Sequence, residues 1–218
     1  MRKSLITAAA LSAVALNAPA QAETGDVLVK LRGSYHKRLD DFSLTLPGSP
    51  QPVTVSAEDT AGAEASFTMF LAKKMALELS IGAAGYQVQD PLDRKLVSAN
   101  MLMSTATIQY HPAPESKLIR PYVGVGLTHI NLYGEDAQPT LIDPSASSSV
   151  SYKARLTSGF APIGQIGSDV AISKSVYLNL DVKYTMRKTE ILLESETFTT
   201  DSRNVASVIA AAGVGFRF

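Results

Sequence analysis

Histidine is the side chain that most often acts as a general base or metal ligand near neutral pH. This chain has three histidines, His36, His111 and His129, and no cysteine. Nucleophilic catalysis needs a base beside its nucleophile, but none of the three is in a motif with a neighbouring serine and no G-x-S-x-G is present. Histidines this dispersed do not supply a metal site either. The sequence therefore predicts no enzyme, no metal and no cofactor.

A second chemically active set consists of charged side chains that share one face of otherwise apolar segments. Inside a narrow, poorly hydrated protein interior, an unpaired charge costs several kcal/mol. Such charges could line a polar path for ions, but mutual pairing into a closed plug is favoured. The predicted charge network consists of Lys30, Arg32, Glu64, Glu78, Asp169, Asp181, Lys183, Arg187 and Arg217.

The segments that carry these charges alternate with a period of two residues, which is typical of strands with one apolar face. In "VYLNLDVKYTMRK", apolar residues from Val176 to Met186 alternate with polar ones. The same pattern runs to the last residue in "GVGFRF", where Phe216 and Phe218 share the apolar face. Similar alternation in "DVLVKLRGSYHK", "TAGAEASFTMFL" and "MALELSIGAAGY", and less regular segments at 101–110, 120–132 and 156–172, bring the number of predicted strands to eight.

The predicted strands are about 10 to 13 residues long, which exceeds the usual length in soluble sheets and suits a tilted membrane-spanning strand. A soluble β-sandwich also alternates, but its strands are shorter. Short links, such as Ala72-Lys73-Lys74 and Ser173-Lys174-Ser175, alternate with long ones. This is the pattern of periplasmic turns and extracellular loops. We expect an all-β fold, an eight-stranded antiparallel transmembrane β-barrel with long extracellular loops and short periplasmic turns.

The first residues predict export. Arg2 and Lys3 precede an apolar run from Leu5 to Leu16, and Ala20-Gln21-Ala22 follows, as in a secretory signal peptide. We expect residues 1–22 to be cleaved and residues 23–218 to form one barrel domain. That domain has 18 basic and 20 acidic residues once Arg2 and Lys3 are removed, and no basic stripe for nucleic acid. No later stretch is long enough for a membrane helix.

Four stretches give the chain a family resemblance: "TATIQYHP", "IRPYVGVGL", "SKSVYLNLDVKY" and "GVGFRF". In this order and spacing, over Asp26 to Phe218, the sequence resembles the outer-membrane protein W family of small bacterial barrels. The resemblance implies location in the bacterial outer membrane, contact with its lipids, and uptake of small hydrophobic molecules that leave sideways into the bilayer. We also expect the C-terminal strand, with Phe216 and Phe218, to be recognised by the barrel-assembly machinery. The sequence leaves the oligomeric state open.

Apolar residues in the predicted loops are the candidates for a hydrophobic mouth. They could instead extend the strands and pack on one another. The candidates are Phe42, Leu44, Leu46, Val53, Val55, Leu141 and Ile142.

Pro162 is the candidate for a lateral opening, because proline removes one ladder hydrogen bond. It could also lie above the membrane on a solvated extension. The alternative to transport is a structural or adhesive surface barrel with a salt-bridged, closed lumen.

Overall fold

The computed structural model describes residues 24–39, 42–44, 53–89, 95–137, 154–156, 158–189, 191–193 and 203–218. Within these ranges the chain forms strands and turns and no helix. The twelve strands are β1 (Val27–Arg38), β2 (Phe42–Leu44), β3 (Val53–Ala57), β4 (Thr60–Ala72), β5 (Met75–Gln89), β6 (Lys95–Tyr110), β7 (Ile119–Ala137), β8 (Ala154–Leu156), β9 (Gly159–Ala171), β10 (Val176–Thr189), β11 (Ile191–Leu193) and β12 (Arg203–Arg217).

The eight long strands close into an antiparallel barrel. They pair in the order β1, β4, β5, β6, β7, β9, β10 and β12, and β12 pairs back onto β1 from Leu28↔Arg217 to Arg38↔Ser207. The ring is sealed to the last residue, because the Phe218 N–H donates to the Val27 carbonyl at 2.9 Å. The eight-stranded barrel predicted from the sequence is confirmed. Closure removes every free strand edge, which a sheet within a bilayer requires.

The barrel strands have 12 to 19 residues, so several are longer than the 10 to 13 predicted. At about 3.4 Å per residue, even the shorter ones cross a tilted path through a ~30 Å hydrocarbon layer. The β5–β6 and β6–β7 ladders continue past the predicted ends, up to Gln89↔Lys95 and Val97↔Ala137. The link after β5 is therefore 90–94, much shorter than the gap between the predicted segments that end at Tyr86 and begin at Met101, because paired backbone extends the wall beyond the alternating residues.

At the opposite end two of the three connections are tight, and the third has eight residues. Lys73 and Lys74 join β4 to β5, residues 172–175 join β9 to β10, and residues 111–118 join β6 to β7. Both described chain ends, near Asp26 and at Phe218, lie at this same end because β1 begins and β12 ends there. This is the periplasmic end of an outer-membrane barrel.

Alternation places apolar side chains outside and polar ones inside. Large apolar residues such as Leu79, Val125 and Leu180 are exposed on the outer wall, and Phe216 and Phe218 are exposed near its periplasmic rim. Lys30, Glu78 and Lys183, on the opposite faces of their strands, are fully buried in the lumen. This arrangement reverses that of a soluble protein and suits contact with lipid. Among the described residues, no helix is long and apolar enough to cross a bilayer.

Candidate functional site

The middle of the lumen is filled by seven charged side chains in mutual contact, which we call the ionic plug. Its members come from inward positions of β1, β4, β5, β9 and β10, because those strands place every second side chain in the lumen. The plug consists of Lys30, Arg32, Glu64, Glu78, Asp169, Asp181 and Lys183.

Arg32 is the centre of the ionic plug. Its Nη2 lies 2.6 Å from Glu64 Oε1 and 3.1 Å from Glu78 Oε1. Its Nη1 lies 3.8 Å from Asp181 Oδ2 and donates to Asn179 Oδ1 at 3.2 Å. The planar guanidinium has five donors in a fixed geometry, so one side chain can serve several carboxylates at once.

Two lysines hold the remaining carboxylate oxygens. Lys30 Nζ lies 3.3 Å from Glu78 and 3.4 Å from Asp169. Lys183 Nζ lies 2.5 Å from Glu64 Oε2 and 3.5 Å from Asp181. Each lysine therefore bridges two carboxylates on different strands.

Neutral polar groups complete the plug. Gln165 Nε2 donates to Glu78 at 3.0 Å and to Asp181 at 2.7 Å. The Tyr122 hydroxyl donates to Asp181 at 2.7 Å, and Thr68 Oγ1 donates to Glu78 at 2.9 Å. Except for Arg32 Nε and Asp181 Oδ1, which are buried without a hydrogen-bond partner, these charged groups are both paired and hydrogen-bonded, and they tie the strands together.

Two other members of the predicted charge network lie elsewhere. Arg217 pairs with Asp26 at the periplasmic rim. Arg187 lies four residues beyond Lys183 along β10, toward the extracellular end, and lines a separate cavity. Both were predicted to join the plug because the alternation of side chains along a strand fixes which face a residue occupies but not its height in the barrel.

Below the plug, aromatic rings close the periplasmic end. His111, just beyond the end of β6, packs between Phe70 and Tyr122 with ring centroids 4.9 and 5.3 Å apart. Its Nε2 lies 3.2 Å from Gln109 Oε1. Burial, together with the positive charges of Lys30 and Arg120, lowers the pKa of His111 to about 3, although the negative charge of Glu78 opposes this. His111 is therefore neutral at physiological pH.

Above the plug the lumen changes character and becomes apolar. We call this region the apolar chamber. It lies on the extracellular side because His36 is four residues beyond Arg32 along β1, just as Arg187 is beyond Lys183. Its apolar lining is Tyr86, Met101, Met103, Ile130, Leu132, Val205 and Ile209, and its polar lining is His36, Arg38, Thr185, Arg187 and Ser207.

This chamber was not predicted from the sequence. Met101 and Met103 occupy inward positions of β6, and Ile130 and Leu132 occupy inward positions of β7, where lumen polarity was expected. Apolar residues on both faces made the 101–110 and 120–132 segments look irregular. An apolar residue that faces the lumen of a small barrel has no lipid to contact. The irregular alternation was therefore the sequence signal from which an apolar chamber could have been predicted.

The predicted hydrophobic-mouth residues have a partial description. Phe42 and Leu44 lie in β2, which pairs with β3 through Phe42↔Val55 and Leu44↔Val53. This hairpin joins the wall where β3 pairs with β5. Leu46, Leu141 and Ile142 lie outside the described residues.

Pro162 lies within β9, opposite Leu127 of β7, with its side chain exposed on the outer wall. Toward the extracellular end, the ladder between β9 and β10 ends at Thr185↔Ile163, so Pro162, the next residue of β9 in that direction, is not part of it. Beyond this point β9 pairs with β7 as far as Gly159, and β10 pairs with β12 as far as Thr189. Thr185 Oγ1 donates to the Pro162 carbonyl at 2.9 Å and bridges the two strands where their ladder is interrupted, before pairing resumes between β8 and β11.

Possible catalytic and metal chemistry is limited in the described residues. Ser34 Oγ and His36 Nε2 lie 3.0 Å apart, a contact that the sequence analysis overlooked. Among the described residues, however, no carboxylate bonds to His36 to orient it as a base, and its charged neighbours are Arg38 and Lys183. No group of three or more metal-ligating side chains is found within the described ranges.

Comparison with known proteins gives consistent results. The model of the OmpW family matches residues 23–218. A Rickettsia conorii protein named as an outer membrane protein is 27% identical over 216 residues, which cover 89% of this chain and 82% of the relative.

Solved structures show the same fold. The crystal structure of outer membrane protein OprG from Pseudomonas aeruginosa superimposes with a TM-score of 0.71 and 21% identity, covering 91% of this chain and 98% of OprG. The solid-state NMR structure of outer membrane protein AlkL gives a TM-score of 0.63 and 22% identity, covering 93% and 95% of the two chains. The E. coli outer membrane protein W gives 0.54 and 17%, covering 90% and 99%.

Proposed function

We propose a transport function for this chain, which belongs to the OmpW family and is an integral outer-membrane β-barrel. In this proposal it binds small hydrophobic molecules at its extracellular mouth and passes them into or across the outer membrane. The family and fold are of the transport or structural type rather than enzymatic.

The observation that carries the proposal is the apolar chamber. Seven apolar side chains line the inside of the barrel directly above the ionic plug. A solute that leaves water here gains roughly 25 cal/mol for each Å² of apolar surface buried. The cavity is about 40 Å³, far below the ~300 Å³ and more typical of ligand sites. Entry therefore requires side chains to move, and Met101 and Met103 are suited to this by their flexible, unbranched chains.

We propose that the predicted mouth residues extend this chamber outward. Phe42 and Leu44 of β2, together with Val53 and Val55 of β3, belong to a hairpin joined to the wall above β5. In the proposal Leu46, Leu141 and Ile142 contribute to the same entrance.

The exit that we propose is sideways, through the wall between β9 and β10 above Ile163. Proline lacks the N–H that a ladder bond would need, and the β9–β10 ladder stops at Pro162, with pairing resuming above it between β8 and β11. The ionic plug supports this route, because it occupies the straight path below the chamber.

The first test fills the chamber without adding charge. Met101→Trp increases the bulk of an inward side chain, whereas the matched control, Leu102→Trp, adds the same ring to the lipid face of the same strand. We expect Met101→Trp to slow liposome uptake of a small apolar solute at least severalfold and Leu102→Trp to leave it unchanged. Equal uptake by both variants, each shown to be folded by heat-modifiable migration on gels, would contradict the proposal.

The second candidate function is a structural or adhesive barrel without transport. It is favoured by the ionic plug, which closes the lumen whether or not a solute enters from above. Under this hypothesis neither the wild-type protein nor the variants would increase uptake over protein-free liposomes. The same liposome experiment therefore separates the two functions.

We also propose that residues 1–22 are a signal peptide cleaved after Ala22, and that the assembly machinery of the outer membrane recognises the C-terminal strand. Mass measurement of the mature protein tests the cleavage, since a chain that begins before Glu23 would contradict it.

A further inference from the structure

Exposed lysines lie in all three turns that connect strands at the periplasmic end of the barrel. Lys73 and Lys74 lie between β4 and β5, Lys117 lies between β6 and β7, and Lys174 lies between β9 and β10. We call these four residues the basic rim. We propose that the basic rim binds the anionic head groups of phospholipids in the periplasmic leaflet of the outer membrane. The basic rim is at the opposite end of the barrel from the apolar chamber, and the inference does not depend on transport.

The three turns form one continuous sector of the rim. They join strands that are consecutive neighbours in the barrel, from β4 through β10. Lys73 pairs with Glu115, which links the first turn to the second. On the other side of the second turn, the Ala171 N–H donates to the Leu118 carbonyl at 2.8 Å, next to the turn that carries Lys174. The positive charges therefore act on the same strip of membrane surface.

This sector carries an excess of positive charge. The three turns contain four lysines but a single carboxylate, that of Glu115, which pairs with Lys73. The Lys73 ammonium, with a smaller contribution from Lys74, holds the pKa of Glu115 below its usual value. Glu115 therefore stays ionised and neutralises one of the four lysines, and three positive charges remain to attract an anion. Near an anionic membrane surface, each lysine favours binding by about fivefold.

Exposed apolar side chains place these lysines at the level of the lipid head groups. Within two residues of each turn lysine lies an apolar side chain that is exposed on the outer wall. These apolar neighbours are Met75, Ile119 and Ile172. Lysine commonly keeps its stem on apolar surface and extends its ammonium group toward water. The basic rim is thus continuous with the lipid-facing wall.

This continuity favours a phospholipid over a soluble polyanion of the periplasm. A phospholipid places its acyl chains against the outer wall and its head group beside a lysine, so both kinds of side chain are satisfied by one molecule. A soluble polyanion could contact the lysines but not the apolar residues beside them.

The experiment measures which lipids stay with the protein when it leaves a mixed bilayer. The folded barrel is reconstituted in nanodiscs that contain equal amounts of phosphatidylglycerol and phosphatidylcholine with the same acyl chains. Native mass spectrometry counts the lipids that remain bound after release. We expect bound phosphatidylglycerol to exceed bound phosphatidylcholine by about fivefold or more, which is the effect of one lysine near an anionic surface.

Paired substitutions assign this enrichment to the basic rim. Lys117→Gln combined with Lys174→Gln should lower it at least severalfold, because two of the three excess charges are removed. Lys117→Arg combined with Lys174→Arg keeps the charges and should preserve it. Lys37→Gln is the matched control, because Lys37 is also exposed but lies near the extracellular end of β1. All of these side chains are exposed, and heat-modifiable migration on gels verifies that each variant is folded.

The outcomes are decisive for the lipid. Equal retention of the two lipids by the wild-type protein would overturn the proposal, and so would an unchanged enrichment in the double glutamine variant. An equal loss in Lys37→Gln would show that the enrichment does not arise at the periplasmic end. A loss in the double arginine variant as large as in the double glutamine variant would show that positive charge is not what the lipid recognises, and would also overturn it.

Discussion

Arg32 provides the most demanding test of the ionic plug, because its single guanidinium faces three carboxylates. Its nitrogens lie 2.6, 3.1 and 3.8 Å from oxygens of Glu64, Glu78 and Asp181. At an effective dielectric constant of about 20, each contact corresponds to roughly 4 to 6 kcal/mol of Coulomb attraction. Desolvation of the buried charges offsets most of this. We expect Arg32→Met to lower the free energy of unfolding by about 3–5 kcal/mol, because it leaves those carboxylates without their shared cation.

The assay is a urea titration of the purified barrel in lipid vesicles, followed by the shift between folded and unfolded bands on unheated gels. The chain has no tryptophan, so a gel readout avoids dependence on weak tyrosine emission. With a denaturant slope of about 2–3 kcal/mol per molar urea, the loss corresponds to a midpoint about 1–2 M lower. Arg32→Lys should recover part of the loss, since an ammonium keeps the charge but cannot match the three-way geometry.

Lys73→Met is the matched control. Lys73 also pairs with an acid, Glu115, but both side chains lie in exposed periplasmic turns. Exposed ion pairs contribute little, so we expect no measurable change in midpoint. If Arg32→Met folds and its midpoint equals that of Lys73→Met, the plug does not stabilise the barrel and the reasoning from burial is wrong.

Two further predictions concern the periplasmic end. His111 is buried and uncharged in the fold, with a pKa of about 3 against about 6.5 in the unfolded chain, so the unfolded state binds more protons between these values. Its contribution to stability is fully present above pH 6.5 and is lost on acidification toward pH 3. The urea midpoint of His111→Gln should accordingly fall less between pH 6.5 and 4.5 than that of the wild-type protein, and equal slopes would contradict a neutral His111. Phe218→Asp should reduce outer-membrane assembly in cells, measured by heat-modifiable migration, because the last strand closes the barrel and its exposed aromatic ring lies at the lipid interface; normal assembly would refute that role.

The sequence predicted the barrel wall because lipid contact imposes a strict rule on every second residue. Each outward position from Val176 to Met186 of β10 is apolar, and the structure places these side chains outside. Above the membrane the outward side chains do not contact lipid, so the rule that every second residue is apolar no longer holds. For this reason the upper ends of β5, β6 and β7 were assigned to loops although their backbones pair.

The pairing inside the lumen could not be read from the sequence in the same way. Arg32 contacts Glu78 and Asn179, which are 46 and 147 residues away along the chain. Which inward side chains meet across the lumen depends on the register of all eight strands, and parity alone carries no such information. Arg187 has the same parity as Lys183 yet lies in the apolar chamber, one layer higher.

The ionic plug lies directly below the apolar chamber. In the proposed transport this order favours a lateral exit, because that route has the lower energetic cost. A solute that buries about 200 Å² of apolar surface in the chamber gains roughly 5 kcal/mol. Downward passage would separate several buried ion pairs around Arg32 and Lys183, and breaking even one such pair costs about 3–5 kcal/mol. Sideways passage beside Pro162 would instead use a point where the β9–β10 ladder is already interrupted and where proline has no N–H to lose, so fewer backbone groups, each of which costs several kcal/mol when left unpaired in lipid, need to open. The sideways route is therefore the less costly of the two.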